Sequence, residues 1–280
     1  MVSSDNHKLL RFGIITDIHF STENEPAAAA KTAADLRACV DCWQRNDVDF
    51  LMQLGDQIKG SSSHKEEEFR QVSSILNTFP GAIRHILGNH CLALPRQTLM
   101  AALGLQTPFY AFTIKGFRFI VLDGMDVSAL RVPETQEDVQ TLAFFLAHPE
   151  LHEYCGAVGI QQKAWLKLEL EKAKLEGKKV IAVCHFPLLP ETTDQLHGLL
   201  WNHREIAELL ASSPAVKACL SGHYHYGGYA CYGNIHFIVL PAFVNRHEHP
   251  SFTCGTVELH EERMVIRNQR NETRYDLAFH

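Results

Sequence analysis

The sequence predicts an α/β (α+β) fold, in which strands and helices alternate through the first half and strands close the chain. Three observations carry that reading. Short apolar runs rich in β-branched residues alternate with stretches of helical periodicity. Several of these runs end at Gly, Asp, Asn or His, where a strand gives way to a loop. From Ile235 onward, strand-like runs follow one another with no helix between them.

Residues 9–16 read as a buried strand, and residues 27–43 as a helix with Leu36, Cys39, Val40 and Trp43 on one face. Residues 48–54 form a second strand, ending at Gly55-Asp56. Residues 66–79 are helical, with Phe69, Val72, Leu76 and Phe79 aligned, and Pro80-Gly81 stops the helix. A third strand, 83–87, ends at Gly88-Asn89-His90. Residues 110–114 and 117–122 flank Lys115-Gly116 as a tight hairpin. Residues 132–156 are weakly patterned and read as an insertion near the site. Residues 160–175 form a helix with Ala164, Trp165, Leu168 and Leu175 on one face and Gly177 just past its end. Residues 179–184 are a strand running into His185. Residues 202–210 are a helix, with Asn202 as its cap and Glu205 completing a capping-box-like pair. Residues 216–220 lead as a strand into Gly222-His223, and residues 235–240, 252–259 and 264–268 close the fold as antiparallel strands. No linker or internal repeat interrupts the order, so 1–280 reads as a single domain.

A chain of 280 residues supports a large core. Its net charge of −6 argues against a nucleic-acid backbone as partner. No run approaches the roughly 18 apolar residues of a membrane span. The segment from Met1 to Arg11 is polar and lacks the apolar stretch of a signal peptide. The 8 Cys are therefore expected to be reduced thiols, and the compartment cytoplasmic. Cys39 and Cys42 form a C-x-x-C on the first helix with no second pair behind it, and are read as core. Asp123, at the end of an apolar strand, is read as structural. His247 and His249 read as a solvated loop.

The chemistry lies at the ends of the strands. Asp17-x-His19, Asp56, Asn89-His90, His185 and His223-x-His225 each put metal-ligand types after an apolar run. Such a set suits two adjacent divalent cations. Asp56 is the expected bridge, because a carboxylate offers two oxygens. Asp17, His19 and His225 would complete one metal, and Asn89, His185 and His223 the other. Mixed imidazole, carboxylate and amide donors suit Mn²⁺, Fe or Zn²⁺ better than Ca²⁺. Two cations about 4 Å apart clamp phosphate oxygens and activate a bridging water. His90 is left over as the general acid for the leaving oxygen. Alternation along an extended chain would aim Asp17 with His19, and His223 with His225. Glycines 55, 88 and 222 would let the chain turn sharply at each junction. Phe20, Tyr224 and Tyr226 adjoin the ligands, either packing around the metals or stacking on a base.

In order and type, these blocks resemble the calcineurin-like metallophosphoesterases across about three quarters of the chain. The resemblance implies a four-layer αββα sandwich, two mixed β-sheets flanked by helices. It also implies the metal roles above, and His90 as proton donor to the leaving group. A narrower resemblance rests on four features: Trp165 on the helix after the insertion, Trp201-Asn202-His203 opening a helix, Gly222-His223-x-His225-x-Gly227-Gly228, and the strand at Arg263-Met264-Val265. It points to the manganese-dependent ADP-ribose/CDP-alcohol diphosphatase group. That implies two Mn²⁺ ions, a small nucleotide-type substrate, and Cys91, Trp201, Asn202 and His203 as further candidate substrate contacts. Two positions depart from the wider family pattern: Cys91 follows the Gly-Asn-His block, and Lys59-Gly60 follow Asp56, where many members carry acids. A cyclic-nucleotide or general phosphodiesterase of the same fold is the rival activity. A protein phosphatase would need an open groove, which the 132–156 insertion opposes. A non-catalytic scaffold is the rival from another class, and the complete ligand set argues against it.

Overall fold

The computed structural model describes residues 10–23, 26–194 and 198–280. Leu9 and the polar segment before it, from which the compartment was read, lie outside them. Two six-stranded sheets dominate. The first runs in the order β14(Thr273–Ala278), β13(Arg263–Asn268), β12(Gly255–Leu259), β1(Leu10–Ile15), β2(Phe50–Gln53), β3(Ala82–His85). The second runs β10(Gly228–Tyr232), β11(Ile235–Val239), β9(Val216–Ser221), β8(Lys179–Cys184), β5(Phe117–Leu122), β4(Tyr110–Ile114). β1, β2 and β3 are parallel, as are β5, β8, β9 and β11, while β12, β10 and β4 pair antiparallel with their neighbours. Both sheets are therefore mixed. Parallel strands deliver their C-terminal ends to one edge, where loop residues gather.

Alternation along the strands makes the layers. Phe12 and Ile14 of β1 face the second sheet and pack with Phe119, Val121, Ile181 and Leu220. Ile15, on the opposite face, packs with Leu36, Val40, Trp43, Val72 and Leu76 of α1(Pro26–Arg45) and α2(Lys65–Leu76). The outer face of the second sheet is covered by α5(Ile160–Leu175) and α6(His203–Ala211), through Leu166, Leu170, Ile206 and Leu210. Helix, sheet, sheet, helix is the four-layer αββα sandwich that the resemblance implies. Four phenyl rings lock its centre: Phe119 stacks on Phe112 at 4.8 Å and meets Phe12 and Phe50 edge-on at 5.5 Å.

Several expectations change. The buried face of α5 carries Gln162, Leu166, Leu170 and Ala173, whereas Leu168 and Leu175 are exposed. The polar Gln162 disguised that stripe; it is buried because its amide bonds both the N–H and the carbonyl of Asp123. β11 is parallel to β9 rather than part of an antiparallel closing set, because the edge strand β10 reverses the chain before β11 begins. β10 and β14, α3(Arg96–Ala102) and the small ladder of β6(Val127–Ser128) with β7(Gly156–Ala157) were not anticipated. The 132–156 segment contains α4(Gln136–Leu146), which starts where the Thr135 side chain accepts from Asp138 N. The Lys115-Gly116 turn is as expected, with φ of 47° and 90°. So is the end of α5, where Gly177 takes φ 61°.

Candidate metal centre

The loops after β1, β2, β3, β8 and β9 converge at one end of the sandwich. Asp17 and Asp56 are completely buried there. Asp17 Oδ1 lies 3.4 Å from His19 Nε2, 3.6 Å from His225 Nε2 and 4.0 Å from His185 Nε2. Asp56 Oδ2 lies 3.2 Å from His185 Nε2 and 3.7 Å from His19 Nε2. His225 and His19 bring their Nε2 atoms to 3.2 Å, and His223 Nδ1 sits 3.3 Å from His185 Nε2. Three groups of ligand atoms fall within 4.8 Å of one another: Asp17, His19 and His225; His19, Asp56 and His90; Asp56, His185 and His223.

The route to this convergence is not strand alternation. Asp17, His19, Asp56 and His223 all take left-handed backbone, with φ of 51°, 47°, 55° and 63°. Non-glycine residues adopt that region at a cost, so the surrounding hydrogen bonds must hold it. They do: Asp17 N donates to Gly55 O, His19 N to Asp56 O, and His223 N to Asp17 Oδ2. Gly222 serves close approach rather than turning, since a Cβ there would collide with Thr16 Oγ1 and Asp17 Oδ2. Gly88 does the same beside Asp56, and of the three junction glycines only Gly55 has positive φ.

Second atoms fix the first. Asp17 Oδ2 accepts from Thr16 Oγ1, and Asp56 Oδ1 accepts from His90 N at 2.9 Å. His185 Nδ1 lies 2.7 Å from Leu54 O, and His90 Nδ1 lies 2.6 Å from Lys59 O. A carbonyl only accepts, so each Nδ1 carries the proton and each Nε2 faces the site with a lone pair or an exchangeable proton. Among the ligand-type side chains brought together here, three buried oxygens are left without a hydrogen-bond partner: Asp17 Oδ1, Asp56 Oδ2 and Asn89 Oδ1. Buried oxygens are rarely left so.

The electrostatics point the same way. Burial pushes the Asp17 carboxyl up, but His185, His19 and His225 outweigh it and hold it well below the usual carboxylate range. Asp56 ends at about 2, with His185 and His19 overcoming its burial. The carboxylates in turn lift His185 to about 9 against its burial, while burial and His185 press His223 down to about 3. The centre draws positive charge inward. Orphaned oxygens beside converging imidazoles fit a pair of divalent cations.

The calcineurin-like phosphoesterase family model matches residues 10–227. This chain belongs to that family. It is a metal-dependent hydrolase of phosphorus ester or anhydride bonds. Among similar proteins is the manganese-dependent ADP-ribose/CDP-alcohol diphosphatase of Arabidopsis thaliana, 29% identical over 82% of this chain and 84% of its own. The protein of the same name from Oryza sativa subsp. japonica is 27% identical over 94% and 92%. A crystal structure of a dimetal phosphatase from Danio rerio superposes with a TM-score of 0.85 at 24% identity, covering 97% and 99% of the two chains, and shares the fold.

In this phosphoesterase, a cavity of about 710 Å³ opens over the centre. Asn89, His90, His223, Tyr224, His225 and Tyr226 line it, as do Tyr154, Asp194 and Asn245. The last three were missed from sequence. Tyr154 had one signal, its place in the 132–156 insertion; its ring lies 5.7 Å from that of His223. The other candidate contacts are placed elsewhere. Phe20 is buried against Ile18, Leu36 and Phe243. Cys91 is buried with Ile58, Phe69 and Leu87, and burial together with Asp56 pushes its thiol up to about 12. Trp201 stacks on Phe145 and donates Nε1 to Leu151 O and His152 O. Asn202 makes no side-chain cap; its amide instead pairs with both backbone groups of Val158. His203 lines a separate cavity with Leu188 and Tyr232. Asp123 is buried and paired with Arg96, which makes it structural.

Proposed function

We propose that this phosphoesterase cleaves the diphosphate linkage of nucleoside diphosphate-linked small molecules such as ADP-ribose or CDP-alcohols. The observation that carries the reading is the trio of orphaned oxygens beneath an open cavity walled by Tyr154, Tyr224 and Tyr226. The names of the Arabidopsis and rice relatives support it, and support Mn²⁺. Asp17, His19 and His225 would hold one cation, Asn89, His185 and His223 the other, with Asp56 shared. When bound, such a pair supplies Lewis acidity toward phosphate oxygens and a water of lowered pKa.

The chain's own residues would do the rest. Lys59 O holds the His90 ring by Nδ1, which leaves Nε2 to pass a proton to the departing oxygen. Phenol rings at the mouth offer apolar faces with polar tips, suited to stacking on a base. Leu54 O keeps His185 in the tautomer that presents Nε2. Among the described residues no helix is long and apolar enough to cross a membrane. The free thiols of the eight cysteines support a reducing compartment, the cytoplasm.

Purified protein assayed with Mn²⁺ against ADP-ribose, CDP-choline and cyclic AMP tests the reading. Release of AMP and CMP from the first two is expected. Turnover of cyclic AMP alone would replace it with a phosphodiesterase.

A further inference from the structure

The C-x-x-C of α1 is not simply core. Cys254, the residue just before β12, lines one cavity together with Cys39 and Cys42. The two segments are also tied together: the Trp43 side chain donates Nε1–H to Gly255 O at 2.8 Å, and these are the residues next after Cys42 and Cys254. A cavity of about 310 Å³ reaches the three thiols, and Asp35, Arg45, Arg246 and His247 stand around it. Asn46 Nδ2 donates to Cys42 Sγ at 3.4 Å.

We propose that Cys42 and Cys254, with this cavity, form an oxidation site at which hydrogen peroxide converts the two thiols to a disulfide. The Cys42 thiolate attacks the peroxide: an S–O bond forms, the O–O bond breaks, and hydroxide leaves as water after taking a proton. Cys254 then attacks the Cys42 sulfenic acid: the S–S bond forms, the S–O bond breaks, and the second water carries off the Cys254 proton. One peroxide is reduced to two waters as two thiols are oxidised.

Charge sorts the partners. The Cys254 S–H bond, aided by Arg45 and Asn46, outweighs burial and draws the Cys42 thiol down to about 6. Cys39 and Cys42, with burial, push Cys254 well up. A low-pKa attacker beside a protonated partner is the arrangement of a sensor and its resolving thiol. Cys155 and Cys219 show the contrast, raised to about 12 by burial. A soft-metal site is the weaker reading, because among the described residues the groups whose ligand atoms all lie within 4.8 Å are those of the cation centre.

The experiment is peroxide titration of the full chain carrying Cys231→Ser, which removes the one exposed thiol. Free thiols are blocked, and non-reducing digests are read by mass spectrometry. A Cys42–Cys254 linked peptide, cleaved by dithiothreitol and still formed in Cys39→Ser, is expected. Cys254→Ser should leave a dimedone-reactive sulfenic acid on Cys42. Labelling of the unoxidised protein by iodoacetamide needs no core variant, and Cys42 should react roughly tenfold faster than Cys91. Equal reactivity of those two thiols, or a Cys39–Cys42 product, would overturn the proposal.

Discussion

The two sheets contribute different chemistry to one site. The first supplies the orphaned oxygens of Asp17, Asp56 and Asn89, from loops after β1, β2 and β3, with the imidazoles of His19 and His90. The second supplies nitrogen: His185 after β8, and His223 and His225 after β9. Oxygens without partners therefore face imidazoles across the sheet-to-sheet seam. Two of the three ligand groups, Asp17 with His19 and His225 and Asp56 with His185 and His223, need both halves. The seam that packs the fold is therefore also the ruler that spaces oxygen from nitrogen.

The deepest break in that arrangement is Asp56→Asn. It keeps shape but removes the charge that His185 and His19 surround. Metal content should fall and turnover drop by roughly 10³ or more. Elemental analysis beside a rate assay checks it; full metal loading would remove Asp56 from the shared position. His90→Ala comes next, because its backbone N–H already satisfies Asp56 Oδ1 and survives the change. Metal should stay while the rate falls by about 10²–10⁴. The loss should be largest for substrates with poor leaving groups, and an unchanged rate on those would take His90 out of the reaction.

The seam itself is tested by Phe119→Ala. That ring is fully buried among Phe12, Phe50 and Phe112, one pair from each sheet. Removing it should cost about 3–5 kcal/mol in a denaturant titration. If the seam spaces the ligands, metal affinity should weaken too, although no ligand is touched.

A smaller effect is confined to the first sheet. His85 is buried, and its Nδ1 takes a bond from Gln57 Nε2 at 3.1 Å. Burial lowers it from 6.5 to about 4. Across that window the unfolded chain binds a proton that the folded chain refuses. Its contribution is therefore complete above pH 6.5 and shrinks as pH falls toward 4, by up to about 3 kcal/mol. Denaturation midpoints at pH 7 and 4.5 should converge more closely in His85→Gln than in the parent.

The convergence of these residues was legible because each Asp, Asn or His follows an apolar run at a strand end. How they meet was not. Alternation explained Asp17 with His19, yet both residues lie in left-handed loops, a conformation set by hydrogen bonds to Gly55 and Asp56 rather than by side-chain pattern. The lining was equally hidden. Asn245 reaches the cavity because Val244 N bonds Asp17 O, and no local sequence signal announces such a contact. Trp201 and Asn202 show the converse: residues that look like contacts are spent on holding Leu151, His152 and Val158.

The smallest expected effect is at Lys59, where the sequence departs from an acidic pattern. What the site takes from this position is a carbonyl, the acceptor for His90 Nδ1 at 2.6 Å. Any residue provides one. The ammonium group pairs with Glu23 at 3.8 Å at the surface, and such a pair is worth little. Lys59→Ala should therefore leave kcat/KM within about twofold of the parent. Lys59→Pro should not, because it deletes the N–H that bonds Phe20 O and fixes the strip carrying that carbonyl. A large loss in the alanine variant would mean that the charge at 59 touches substrate. In that case the orientation of His90 would owe less to backbone, and more to side chain, than the geometry assigns.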